Sequence, residues 1–179
     1  MIGTSGSIPA PPRPRTKAPD LAVPLVGGGT WDLADQSPRN FTMVVFYRGL
    51  HCPACRGQLT RVEQRFEDLL ALGVNPVAIS ADGRDRAEEA KQGWGLDRLP
   101  IGHDLSVPTM REWGLFVSRA ADRHEPDRFN EPGLFLVKPD RELYYAAVTN
   151  MPFGRPPLDE LIGGMSFVID RAYPARGDA

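Results

Sequence analysis

The sequence predicts an α/β fold: a mixed central sheet flanked by helices, with an N-terminal strand extension. Three observations predict it. Phe41-Thr42-Met43-Val44-Val45-Phe46-Tyr47 is a nearly continuous apolar run, as expected of a central strand buried on both faces. Leu59, Val62, Phe66, Leu69 and Leu70 then recur at three- and four-residue spacing, which puts them on one face of a helix over 53–72. Val74 to Ser80 reads as a second buried strand, and strand–helix alternation builds sheets with parallel members.

The other elements follow in order. Leu21 to Val26 and Thr30 to Leu33 form two short strands around the turn Gly27-Gly28-Gly29. That glycine run is no phosphate loop, since neither Lys-Ser/Thr nor a helix follows it. Gly73 stops the long helix. Asp82 or Asp85 caps a charged helix running to Gln92. Next come a short strand from Leu99 to Ile101, a short helix from Val107 to Trp113 ended by Gly114, and a polar loop over 119–130. Leu134 to Val137 is a third central strand. The turn Pro139-Asp140-Arg141 leads into Leu143 to Val148, which completes an antiparallel hairpin. Pro156-Pro157 opens the last helix, because proline suits the first helical position. Leu158, Leu161, Ile162, Met165, Val168 and Ile169 form its apolar stripe.

A chain of 179 residues suits one domain. Residues 1–17, rich in proline, read as a disordered arm, 18–172 as the folded domain and 173–179 as a tail. Lys+Arg 21 against Asp+Glu 23 gives a net charge of −2, which argues against a nucleic-acid surface. No apolar run approaches the ~18 residues of a membrane span. The polar start Gly3-Thr4-Ser5-Gly6-Ser7 is no secretory signal, so a cytoplasmic location is expected. Two cysteines cannot build a disulfide-rich scaffold. In a reducing compartment they are catalytic, metal-binding or incidental.

Both cysteines lie in Cys52-Pro53-Ala54-Cys55, where the buried strand ends and the long helix begins. A helix N-terminus carries unpaired N–H groups and a partial positive charge. A thiolate there is stabilised, and the thiolate is the attacking species. Cys52 stands at the first turn and is the expected nucleophile. Cys55 stands one turn deeper and is the expected resolving thiol. Pro53 suits the first helical position and removes a donor that would be unpaired. His51 is either a cation that lowers the Cys52 pKa or a simple loop residue. Arg48, four residues before Cys52, is a candidate to hold a thiolate or an oxyanion. Zinc usually takes four ligands, and none of His51, His103 and His124 has a finger-like spacing to the pair, so no metal is expected. Trp31, Trp94 and Trp113 read as core anchors, and His103-Asp104 as a strand-end turn.

Phe46-Tyr47-Arg48-Gly49-Leu50-His51-Cys52-Pro53-Ala54-Cys55 resembles the peroxiredoxin-like branch of the alkyl hydroperoxide reductase/thiol-specific antioxidant family. Supporting segments are Lys17 to Leu21, Gly73 to Asp82, Gly133 to Val137 and Gly154 to Leu161. The resemblance implies a thioredoxin-like fold. It also implies that Pro132, before the later central strand, is a cis-proline facing the thiols; read by itself it is a turn proline. Two departures stand out. Typical peroxiredoxins place a proline seven residues, and Thr or Ser three residues, before the attacking cysteine; here Val45 and Gly49 stand there. The family's arginine before the later strand is replaced by Glu131-Pro132. Thioredoxin's tryptophan and buried aspartate before the nucleophile are His51 and Phe46 here.

The expected function is a thiol-dependent redox enzyme that reduces a protein disulfide or a hydroperoxide, with Cys52–Cys55 closing to a disulfide. The site residues are Cys52, Cys55, Arg48 and His51, with Pro132 and Pro53 facing the substrate. No organic cofactor is implied, and an unidentified thiol system supplies electrons. Exposed hairpin edges allow a homodimer. The non-enzymatic alternative is a redox sensor or interaction module that uses the pair as a switch. Arg155, before the last helix, is a candidate to face the substrate.

Overall fold

A computed structural model describes residues 12–178. The chain opens with the hairpin β1 (Ala22–Pro24) and β2 (Thr30–Asp32). The central strand β3 (Phe41–Phe46) follows, then α1 (Pro53–Gln64), α2 (Phe66–Ala71) and β4 (Val74–Ile79). After α3 (Arg84–Gly93), β5 (Ile101–Gly102) and α4 (Val107–Glu112) comes a second hairpin, β6 (Val117–Arg119) and β7 (Arg128–Asn130). Strands β8 (Gly133–Val137) and β9 (Leu143–Val148) and helix α5 (Leu158–Asp170) close the domain. The main sheet has the order β5-β4-β3-β8-β9. It is parallel across β3–β4 and β4–β5, and antiparallel across β3–β8 and β8–β9. This is the mixed sheet expected from the sequence.

All six residues of β3 are buried, and their alternation splits the core in two. Met43 and Val45 face Cys55, Leu59 and Val62 of α1, with Ile162 and Met165 of α5 in the same layer. Val44 and Phe46 face the other way, toward Met110, Trp113, Phe135 and the β1–β2 hairpin. The ring of Phe46 lies 5.3 Å from Trp113 and 5.7 Å from Phe135. The Trp113 and Phe135 rings meet edge to face at 4.9 Å. The strand therefore has helices on one side and an aromatic cluster on the other.

The helix expected over 53–72 is two helices, because Arg65 leaves helical geometry at φ −99° and ψ 14°. After this break Leu69 is fully buried while Leu70 is exposed, which corrects the single stripe read from spacing. The polar loop expected over 119–130 overlaps the β6–β7 hairpin, which begins at Val117 and in which Ser118 pairs with Phe129. Its short strands are hidden among charges in the sequence, yet Phe129 and Asn130 are buried. Helix α3 starts after Gly83 with no side-chain cap, and Asp82 turns elsewhere. Pro157 stands at the N-cap of α5 and not at its first turn.

Ordered structure extends past both expected domain boundaries. The Arg15 N–H donates to the Leu143 carbonyl at 2.8 Å, and the Leu143 N–H donates to the Thr16 carbonyl at 2.8 Å. Ala175 is buried, and Arg15 pairs with Asp178 at 2.9 Å. The rest of the expected arm, residues 1–11, lies outside the described residues. Replacing Phe46 with alanine removes a ring that both Trp113 and Phe135 touch. The expected loss is about 3–5 kcal/mol of unfolding free energy, read from the midpoint and slope of a urea titration.

Candidate active site

The site grows from the end of β3. Beyond Phe46 the Tyr47 N–H still donates to the Ile79 carbonyl at 3.0 Å, so the chain stays on the sheet for one more residue. Gly49 then turns it with φ +128°, a conformation that L side chains rarely adopt. A Cβ on Gly49 would sit 2.6 Å from Asp82 Oδ2. The reason for that close approach is the next residue: the Leu50 N–H donates to Asp82 Oδ2 at 2.6 Å. Asp82 is buried at the end of β4, and its other oxygen accepts from Arg86 Nε at 2.8 Å. The turn before the thiols is thus clamped to the neighbouring strand and to α3.

Cys52 is the N-cap of α1, with Pro53 in the first turn. Its Sγ accepts the Cys55 N–H at 3.3 Å, as a capping oxygen would. The sulfur of Cys55 accepts the Arg48 N–H at 3.3 Å. Both thiols are free and both are buried, Cys52 to 1 % and Cys55 to 0 % exposure. Hydrogen bonding from the Cys55 thiol, opposed by burial and aided by the Cys55 N–H and the Arg155 and Arg48 side chains, lowers the Cys52 pKa from 9.0 to about 5. Burial pushes Cys55 strongly upward, and its hydrogen bond to Cys52 adds to this. One sulfur is held as the anion and the other as the thiol.

Arg155 was only a minor candidate in the sequence, yet it reaches the sulfurs most directly. One of its terminal nitrogens donates to Cys55 Sγ at 3.0 Å and lies 3.8 Å from Cys52 Sγ. The other donates to the Gln58 side-chain oxygen and the Ala54 carbonyl, and Nε donates to the Pro152 carbonyl at 2.7 Å. None of these partners is a carboxylate. Arg48, by contrast, pairs with Glu125 at 3.2 Å and Glu131 at 3.1 Å, and its guanidinium lies over the Phe129 ring. Its charge is largely compensated. The placement of Arg155 depends on a loop 100 residues away from Cys55, which no local spacing in the sequence reveals.

The remaining expectations are corrected in part. Burial, then the charge of Arg48, lowers the His51 pKa from 6.5, so His51 is neutral and not the cation offered as one reading. Its ring packs edge to face on Phe129 at 4.9 Å. No peptide bond among the described residues is cis, so Pro132 is trans. Pro132 is buried and lines a small cleft with Gln58, Thr149 and Arg155, while Pro53 is exposed beside Cys52. Asn130 was missed entirely. It is buried, and its Nδ2 donates to the Tyr47 carbonyl at 3.1 Å, tying β7 to the residue that follows β3. His103 Nδ1 and Asp104 Oδ2 lie 2.7 Å apart at the turn after β5, as expected of a strand-end turn.

The profile of the AhpC/TSA family matches residues 14–146, a span that includes β3, both cysteines and β8. The chain belongs to the AhpC/TSA family. It is 24% identical over 124 residues to the putative peroxiredoxin YkuU of Bacillus subtilis (strain 168), covering 64% of this chain and 63% of that one. The chain therefore matches somewhat under two thirds of that relative. The fold is similar to peroxidoxin BcpB of Mycobacterium tuberculosis, with a TM-score of 0.71 at 13% identity over 87% of this chain and 97% of that one. It is also similar to a mutant of peroxiredoxin 6 of Arenicola marina, with a TM-score of 0.74 at 18% identity over 89% and 74% of the two chains. These likenesses establish the thioredoxin-like fold of an AhpC/TSA protein. Among the described residues no group of His, Cys, Asp and Glu is placed to hold a metal, and no helix is long and apolar enough to cross a membrane.

Three outcomes are expected from this geometry. Alkylation of Cys52 in the reduced protein should be half-maximal near pH 5, measured by mass-resolved labelling across pH 3 to 9, because only the thiolate reacts. The same lowered pKa contributes stability that is fully present above 9.0 and is lost as pH falls through about 5. Gly49→Ala should cost about 1–3 kcal/mol and raise the Cys52 pKa, since it strains the backbone and displaces Asp82.

Proposed function

We propose that this AhpC/TSA protein is a thiol peroxidase, with Cys52 attacking a hydroperoxide and Cys55 resolving the product. The observation that carries this reading is the Cys52 sulfur capping α1 with its pKa lowered to about 5 beside a second thiol. At neutral pH the Cys52 thiolate attacks one oxygen of the hydroperoxide. An S–O bond forms, the O–O bond breaks, and the sulfur loses two electrons. The departing alkoxide or hydroxide takes a proton from solvent. The Cys55 sulfur then attacks the sulfenic sulfur: an S–S bond forms, the S–O bond breaks, and hydroxide leaves with the Cys55 proton as water. A thiol donor returns the pair to the reduced state, so the cycle belongs in a reducing compartment such as the cytoplasm.

Burial supports a small first substrate. A folded protein disulfide cannot meet a sulfur that is 1 % exposed without displacing what covers it, whereas a hydroperoxide needs only a narrow path. The test mixes fully reduced protein with one equivalent of hydrogen peroxide or a small organic hydroperoxide and follows intact mass by rapid quench. We expect loss of two hydrogens as the disulfide closes, at least ~100-fold faster than oxidation of a free thiol. Cys55→Ser should stop at the sulfenic acid. Oxidation at the free-thiol rate with both peroxides, together with ready reduction of disulfides, would replace this reading with disulfide exchange.

A further inference from the structure

Among the described residues, the reduced site holds one cation with no carboxylate partner, and two sulfurs that ionise at different steps. Arg155 contacts Cys55 Sγ at 3.0 Å, which is closer than its 3.8 Å approach to Cys52 Sγ. We infer that Arg155 is a catalytic residue of the resolving step, exchanging the Cys52 thiolate for the Cys55 thiolate as its counter-ion once Cys52 has reacted. The inference rests on the reading of Cys52 as the attacking and Cys55 as the resolving sulfur.

The argument is one of charge and access. Cys55 is fully buried, and a buried thiol resists ionisation. In the reduced state it has a further reason to keep its proton, since that proton lies on the Cys52 thiolate. Capture of Cys52 as a sulfenic acid or mixed disulfide removes the anion. Nothing then holds the Cys55 proton, and the guanidinium no longer shares its charge with Cys52. Arg48 cannot fill this role with its side chain, because Glu125 and Glu131 hold it and only its backbone N–H reaches Cys55. Arg155 is fixed in place by neutral groups: Gln58 and Ala54 of α1, and Pro152 of its own loop. Its charge is left for sulfur.

The step balances without any group beyond the two thiols and the captured substrate. With an aryl disulfide as probe, the Cys52 thiolate displaces one aryl thiolate to form a mixed disulfide. Cys55 loses its proton to solvent, attacks Cys52 Sγ, and displaces the second aryl thiolate. The site is oxidised by two electrons and the probe is reduced by two.

The test uses the full chain and a nitroaryl disulfide whose thiolate product is coloured, so that each displacement appears as a separate phase in stopped flow. This readout needs no peroxidase activity. In Arg155→Met the ratio of second-phase to first-phase rate should fall at least ~10-fold, and the second phase should need a higher pH to reach half its maximum. Arg155→Lys should restore part of the ratio. Gln58→Met, which touches neither sulfur and only loosens Arg155, should lower the ratio less. It also serves if Arg155→Met does not fold, judged by circular dichroism. A normal first phase with an unchanged ratio and pH midpoint in the folded variants would overturn the inference alone. If the aryl disulfide gives no first phase in the unmodified chain, the same ratio is read with the small hydroperoxide, from sulfenic-acid and disulfide formation by rapid-quench mass; no fast sulfenic acid there would overturn the parent reading of Cys52 and this inference with it.

Discussion

The structure depends on one junction: the end of the central strand β3 meets the start of α1 with a sulfur at the N-cap. The strand is buried on both faces, so its end point is fixed by packing from two layers. The turn after it is fixed by Asp82, which accepts the Leu50 N–H from inside the core. Only with both constraints does the Cys52 sulfur fall where the Cys55 N–H points. Magnitudes show that the helix terminus alone is insufficient. Lowering Cys52 from 9.0 to about 5 corresponds to roughly 5 kcal/mol of preference for the anion. A helix end supplies at most ~2 kcal/mol. The remainder must come from the neighbouring thiol and the arginines, which lie at the site because distant segments bring them there.

The two departures from the peroxiredoxin pattern have physical counterparts in this chain. Where a Thr or Ser would stand three residues before Cys52, a side chain at position 49 would collide with the Asp82 carboxylate, and the backbone there has φ +128°. Glycine at that position and a buried aspartate just after β4 form one device. Where an arginine would precede the later strand, Glu131 instead pairs with Arg48, and the guanidinium nearest the sulfurs is that of Arg155.

Much of the fold was legible in the sequence, because β3, β4 and β8 are apolar runs with turn residues at their ends. The site was legible only where it is local. Cys52, Pro53 and Cys55 are adjacent in the chain, and the physics of a helix start assigns them directly. Arg48 is drawn to the sulfurs by proximity in sequence, and its side chain does help lower the Cys52 pKa, but Glu125 and Glu131, more than 70 residues later, also pair with it. His51 was open to a cationic reading for the same reason, and burial against Phe129 denies it the charge. Arg155, Asn130 and the clamp by Asp82 are all long-range, so no periodicity or spacing exposes them. The β6–β7 hairpin was lost because charges outnumber apolar residues around its few buried positions.

Compensation of Arg48 also sets a limit on activation. A thiolate with a pKa near 5 is already fully ionised at neutral pH, so further stabilisation adds no reactive species. It only weakens the nucleophile, whose reactivity falls as its pKa falls. On the proposed assignment of Cys52 as nucleophile, a second free guanidinium would therefore slow attack, and Glu125 and Glu131 offset part of the Arg48 charge. Cys55 faces the opposite demand. It is buried and starts as a thiol, and it gains from every unit of positive charge that becomes free when Cys52 reacts. If Cys52 attacks and Cys55 resolves, as proposed, one compensated arginine and one without a carboxylate partner suit both demands, and Arg155 lies nearer Cys55 than Cys52.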